Sequence, residues 1–130
     1  MPHTLKWKDS YKIGDATIDA EHEQAFKLAN QFLEAQDQAA QQVAAMQLYK
    51  HARQHFEYEE KRMRDIKFPD HKAHTERHNI LIGRLNIISH SIGKDGMDKK
   101  ALFTLMNDWA MYHIVEDDAN LVAYMRKHPV

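Results

Sequence analysis

Residues 71–92 read HKAHTERHNILIGRLNIISHSI. His71, His74, His78, Leu81, Leu85, Ile88 and Ile92 recur every three or four positions, which is the spacing of one face of a helix. That face is apolar at one end and carries imidazole at the other. The spacing predicts a helix over about 70–92, with Asp70 as its N-cap. Lys67-Phe68-Pro69-Asp70 separates it from the preceding helix, and Gly93-Lys94-Asp95-Gly96 ends it.

Reading outward, the segment 40–64 repeats the pattern in Ala45, Leu48, Ala52, His55, Phe56, Glu59 and Met63. The segment 19–36 does so in His22, Ala25, Phe26, Ala29, Phe32 and Leu33, with Asp19 placed to cap it. A fourth helix is expected over 97–126. The first 18 residues fit no period and read as an arm that docks Trp7 and Ile13. The chain has 4 glycines and 3 prolines, too few turn residues for a sheet protein. The expected fold is all-α: one domain over 1–130, an up-down-up-down four-helix bundle with an irregular N-terminal arm.

Composition narrows the function. The length of 130 residues suits one domain, and 43% hydrophobic residues can fill its core. The absence of cysteine excludes disulfide scaffolds, zinc fingers, iron–sulfur clusters and thiol nucleophiles. A net charge of -1 argues against a nucleic-acid surface. Met1–Lys8 lacks the apolar run of a secretory signal, and no stretch is apolar enough to insert in a membrane, so a cytoplasmic protein is expected. No conspicuous exposed apolar stripe calls for assembly, and a monomer is expected. Ten histidines are the anomaly.

Polar residues interrupt every apolar stripe. His22 lies on the first helix, His55 and Glu59 on the second, His74 and His78 on the third. His113 lies on the fourth, followed by acids at 116, 117 and 118. Residues four apart share a helical face. Measured along alternating helices at 1.5 Å per residue, His22, His55, Glu59, His74, His78 and His113 all fall at depths of about 22–29 Å. Leu102, Leu105, Met106 and Trp109 set the phase before His113, and Leu121, Val122 and Met125 set it after Asp118. The phase slips by one residue between them. Asp118 is therefore the inward acid, with Glu116 and Asp117 facing solvent, and a π-bulge is expected near 113–118. Five imidazoles and two carboxylates exceed the four donors of one tetrahedral zinc. Two ions sharing both carboxylates, with an oxo or hydroxo bridge, use the whole set and leave one position open. His3, His51, His71, His90 and His128 fit no donor position. His51 is read as solvent-facing or as a neighbour of a donor.

The order His22, His55-x3-Glu59, His74-x3-His78, His113-x4-Asp118 resembles the hemerythrin family. So does the arm, in Trp7, Ile13-Gly14 and Ile18-Asp19. At this length the chain is similar to the bacterial single-domain members, the bacteriohemerythrins. The resemblance implies a non-haem centre of two iron ions that binds O2 reversibly, for transport, storage or delivery to an oxygen-consuming enzyme. By motif it implies that His74, His78 and His113 hold the full iron and that His22 and His55 hold the iron with the open position. Glu59 and Asp118 would bridge them. Phe56, Trp109 and Ile114, next to these positions, would form the O2 pocket. The alternatives are a sensor of O2 or redox state, and an enzyme acting on peroxide, nitric oxide or iron. Binding rather than catalysis is the expectation.

Overall fold

A computed structural model describes Leu5, residues 7–92 and residues 98–127. The expected break at Gly93-Lys94-Asp95-Gly96, the start at Met97, and His3 and His128 lie outside the described residues. The helices are α1 (Ala16–Glu34), α2 (Gln38–Asp65), α3 (His71–Ser91), α4 (Lys99–Asp108) and α5 (Ala119–Lys127). A π-helical segment, Trp109–Asp118, joins the last two. Those three pieces run end to end as the fourth rod of the bundle. Each rod packs on its neighbour in sequence, and α1 meets α4 to close the ring. The structure is the four-helix bundle that the hydrophobic spacing predicts.

Helix α1 begins one turn earlier than the expected start at Asp19. Asp15 is the N-cap, and its side chain accepts from the Ile18 N–H at 3.0 Å. Asp19 sits within the first turn and binds the arm instead, accepting from the N–H groups of Ile13 and Gly14. The sequence holds two acids four apart, and each can satisfy unpaired N–H groups at a helix start. The earlier one wins because Ile18 is then fully buried. The arm thus ends at Asp15 rather than at residue 18. The remaining helix ends differ from the expected ones by one or two residues. Asp70 does occupy the N-cap of α3, although its side chain makes no capping bond.

The end of α2 explains why Lys67-Phe68-Pro69 stops a helix. Lys67 adopts a left-handed φ of 54°. The Phe68 N–H then reaches back to the Met63 carbonyl at 2.9 Å, and the Lys67 N–H to that of Arg64 at 3.2 Å. This is the Schellman arrangement, which satisfies the last carbonyls of a helix. Phe68 buries itself on Met63 and Ile66, and Leu121 completes that cluster. A larger apolar cluster fills the other end of the bundle, including Leu48, Leu85, Leu105 and Phe32.

The arm is pinned at both ends. Leu5 exchanges two hydrogen bonds with the Asn30 side chain, at 2.8 and 2.7 Å. The Gly14 carbonyl accepts from Arg126 of α5 at 2.6 Å. Trp7 and Ile13 pack on the larger cluster, the docking expected of the arm. Some apolar surface is not marked by the sequence pattern: Ile80, Ile87, Met111 and Tyr112 are exposed on α3 and the π segment. Among the described residues no helix is long and apolar enough to cross a membrane.

Gly14 has a φ of 92°, and a Cβ there would collide with the Arg126 guanidinium. Gly14→Ala combines left-handed strain with a lost hydrogen bond and should cost about 1–3 kcal/mol. Urea unfolding with wild type at equal metal content measures this. An unchanged midpoint would show that the arm does not need this conformation.

Candidate metal centre

All seven predicted donors are buried and come together in the middle of the bundle. His22, His55, Glu59, His74, His78, His113 and Asp118 are each at most 3% exposed. They form two overlapping groups, one of His74, His78, His113, Glu59 and Asp118, the other of His22, His55, Glu59 and Asp118. Within either group the nearest donor atoms lie within 4.8 Å of one another. Only the two carboxylates belong to both.

The fourth rod delivers two of the seven through its altered winding. His113 and Asp118 are five residues apart. With 3.6 residues per turn, an α-helix would rotate the second away from the first. Bonding from residue i to i+5 brings it back over the same face. The Ala119 N–H indeed reaches the Ile114 carbonyl, five residues back. The π winding covers ten residues from Trp109, so it starts before the expected bulge at 113 and is longer than a single inserted residue requires.

The carboxylate oxygens are divided between the groups. Glu59 Oε1 lies 3.0 Å from His78 Nε2 and 3.4 Å from His74 Nε2. Its Oε2 lies 2.8 Å from His55 Nε2. Asp118 Oδ1 lies 2.9 Å from His74 Nε2 and 3.2 Å from His113 Nε2, while its Oδ2 lies 2.9 Å from His22 Nε2. Several of these atoms are close yet make no hydrogen bond of acceptable geometry. They are Glu59 Oε2, both Asp118 oxygens, His74 Nε2 and His113 Nε2. Buried polar atoms normally find a partner. These face a shared space, and nitrogen and oxygen lone pairs aimed at one space are what a cation needs. His22 and His55 make the same point, with Nε2 atoms 3.1 Å apart.

The outer ring nitrogens explain how the imidazoles are held. His55 Nδ1 donates to Glu21 at 2.6 Å, His78 Nδ1 to Glu60 at 2.8 Å, and His113 Nδ1 to Asp117 at 3.1 Å. Such partners fix the ring and its tautomer, leave the Nε2 lone pair free, and typically change metal affinity about 10–100-fold. Arg77 in turn holds Asp117 at 2.7 Å. Asp117 is therefore not the plain solvated acid that the sequence reading made it. Glu21 and Glu60 were not singled out at all. Each of the three adjoins a donor in sequence, which puts it on the flank of the inward face, and Asp117 is also four residues after His113. His51 proves to be a neighbour of a donor: its ring lies parallel to that of His55, centroids 6.4 Å apart, and its Nε2 donates to the Glu21 carbonyl at 2.8 Å.

Phe56, Trp109 and Ile114 are all buried in the larger apolar cluster. Phe56 stacks flat on His78, centroids 3.9 Å apart, and lies 5.2 Å from Trp109. It also meets His113 edge-on at 5.7 Å and His55 at 6.0 Å. It thus touches both groups of histidines.

This geometry can be set beside known proteins. A bacteriohemerythrin of Pseudomonas aeruginosa (strain UCBPP-PA14) is 30% identical over 131 residues, spanning 97% of this chain and 84% of the relative. One from P. aeruginosa (strain LESB58) matches equally. The chain belongs to the hemerythrin family. A more distant member, the bacteriohemerythrin of Stenotrophomonas maltophilia (strain R551-3), is 27% identical over 129 residues, 95% of this chain and 83% of its own. No family model matches the chain. Membership in the hemerythrins implies non-haem iron, and the donor set fits: imidazole nitrogen suits iron, and the two carboxylates add oxygen donors.

Protons compete for the same atoms. Burial pushes the His55 imidazole down, but the charge of Glu59 and the bond to Glu21 outweigh it and raise its pKa to about 10. Burial likewise opposes His74, yet Asp118 and Glu59 beside it raise it to about 9. Burial favours the neutral acid at Glu59, but the surrounding imidazoles hold it well below the ordinary carboxylate range. In the metal-free protein at pH 7 both His55 and His74 therefore keep a proton that a cation must displace. Metal affinity should therefore rise with pH until these groups lose their protons, at about 9 and about 10, and binding below that should release protons. Titrating metal-free protein with cobalt(II) in weak buffer reads that release. Binding without proton release, at an affinity independent of pH, would contradict the reading.

Proposed function

We propose that this chain binds O2 reversibly at two iron ions, as a carrier, store or supplier of oxygen rather than as an enzyme. The observation that supports it is the division of the Glu59 and Asp118 oxygens between a three-histidine group and a two-histidine group. On this reading His74, His78 and His113 hold one iron and His22 and His55 the other. Both carboxylates, with an oxo or hydroxo bridge, would link the two. Three imidazoles would give one iron a fuller donor set than the two imidazoles would give the other. All seven donors come from one chain, so the monomer is a sufficient working unit. The recipient of the oxygen would be an oxygen-consuming enzyme in the cytoplasm.

Iron held by these residues would supply the electrons that O2 takes up on binding and gives back on release. The chain's own residues determine whether that exchange stays reversible. Five neutral imidazoles and only two anionic donors give the metals little negative charge, which restrains further reduction of O2. Phe56, Trp109 and Ile114 wall the site with hydrocarbon and keep water away. Glu21, Glu60 and Asp117 lock three of the imidazoles through Nδ1, so the donor geometry does not relax during the exchange.

The direct test is the visible spectrum of iron-loaded protein on exposure to air and then on purging with argon. A charge-transfer band that appears and then disappears over repeated cycles is expected. Irreversible oxidation in the first cycle, with turnover of added peroxide, would favour an enzyme instead.

Ile114→Ala should let water in and hasten the loss of O2-binding competence, read as decay of that band in stopped-flow absorbance. An unchanged decay rate at full iron content would remove Ile114 from the pocket.

A further inference from the structure

The arm carries an aromatic run that the binding of O2 does not require. The Trp7 ring lies 6.5 Å, centroid to centroid, from that of His22. On its other side the buried Tyr11 meets it edge-on at 5.4 Å. Phe26 packs against both rings, at 5.4 and 5.7 Å, and fixes their geometry. The indole Nε1 of Trp7 is buried and has no hydrogen-bond partner among the described residues. The Lys8 ammonium stands over the Tyr11 ring at 5.9 Å.

Indole and phenol are the aromatic side chains that most readily give up one electron, and phenyl resists. Tyr11, Trp7 and His22 thus form a run of oxidisable rings that ends on a site histidine. Two other ring contacts toward the site histidines run through phenyl. Phe68 stands between His74 and Tyr124, at 6.4 and 5.2 Å, and Phe56 between Trp109 and the histidines.

We propose that Trp7 and Tyr11 form a one-electron relay that supplies the metal centre when it meets hydrogen peroxide, so that oxidation ends on Tyr11 instead of on the donors. This rests on the di-iron reading. Local chemistry sets the direction. An oxidised indole is relieved by passing its Nε1 proton to an acceptor, and Trp7 has none among the described residues. It stays a cation, remains a strong oxidant and draws an electron from Tyr11. Lys8 over the Tyr11 ring opposes positive charge there, so the phenol sheds its proton as it loses its electron. In balance, one hydrogen peroxide takes one electron from an iron(II) ion and one from Tyr11, the latter passing through Trp7. With the phenolic proton and one proton from solvent it becomes two waters, leaving iron(III) and a neutral tyrosyl radical.

The test mixes protein loaded anaerobically with iron(II), its iron counted, with hydrogen peroxide and freezes it for electron paramagnetic resonance. Wild type should give a tyrosyl signal that metal-free protein does not. Tyr11→Phe should replace it with an indole-type signal. Trp7→Phe, which keeps an apolar ring in place, should lose the Tyr11 signal. Peptide mapping of the same samples should find oxidation at Trp7 and Tyr11 in wild type, and at site histidines or methionines in Trp7→Phe. The wild-type map and Tyr11→Phe carry the test even where Trp7→Phe fails to fold. Protein with two irons and a reversible O2 band whose radical is absent, or unchanged in both variants, would overturn the relay alone. Protein that takes up no iron would overturn the relay together with the di-iron reading.

Discussion

Glu59 and Asp118 have no exposed surface, and their like charges face each other across the middle of the bundle. Burying an ionised carboxylate is costly unless it is paired or bound to metal. The rest of the molecule meets that constraint. Each helical rod contributes imidazole at the same depth, and no oxygen of either acid lies far from a ring nitrogen. Apolar clusters at both ends of the bundle supply the burial that holds these polar groups inside. Without metal, protonated His55 and His74 compensate part of that charge; the donor set is also one that could hold metal ions.

Where the chain's chemistry followed a helical period, it could be read directly. The stripes that run through His78 and Leu81, or through His55 and Met63, locate both a helix and a candidate donor. The phase slip between His113 and Asp118 was legible too, because apolar residues on either side of it report their own orientation. Its extent was not. Ten residues of π winding begin at Trp109, in a stretch whose side chains fit either winding. Asp15 and Asp19 could not be ranked, since both are good caps and only the burial of Ile18 decides between them. Glu21, Glu60 and Asp117 escaped notice or were read as surface for a related reason. A charged residue beside an inward one looks like ordinary solvated polarity until the ring it supports is placed across the bundle.

The asymmetry of the centre links structure to function. Three rings on one side and two on the other make two unequal donor groups in a nearly symmetric bundle. The fourth rod makes that asymmetry possible, because only its altered winding points both His113 and Asp118 inward. The two-histidine side is also the side that the arm covers, with Trp7 against His22. The arm therefore adds more than stability: it places an indole and a phenol beside the two-histidine group of donors. Arg126 and Asn30, which tie it down, belong indirectly to the site.

The central claim is that two metal ions share Glu59 and Asp118. X-ray absorption fine structure on iron-loaded protein of known iron content addresses it most directly. The account predicts two irons per chain and an iron–iron distance below about 4 Å, as in other paired-metal sites. One iron per chain, or two irons with no iron–iron scattering, would contradict it.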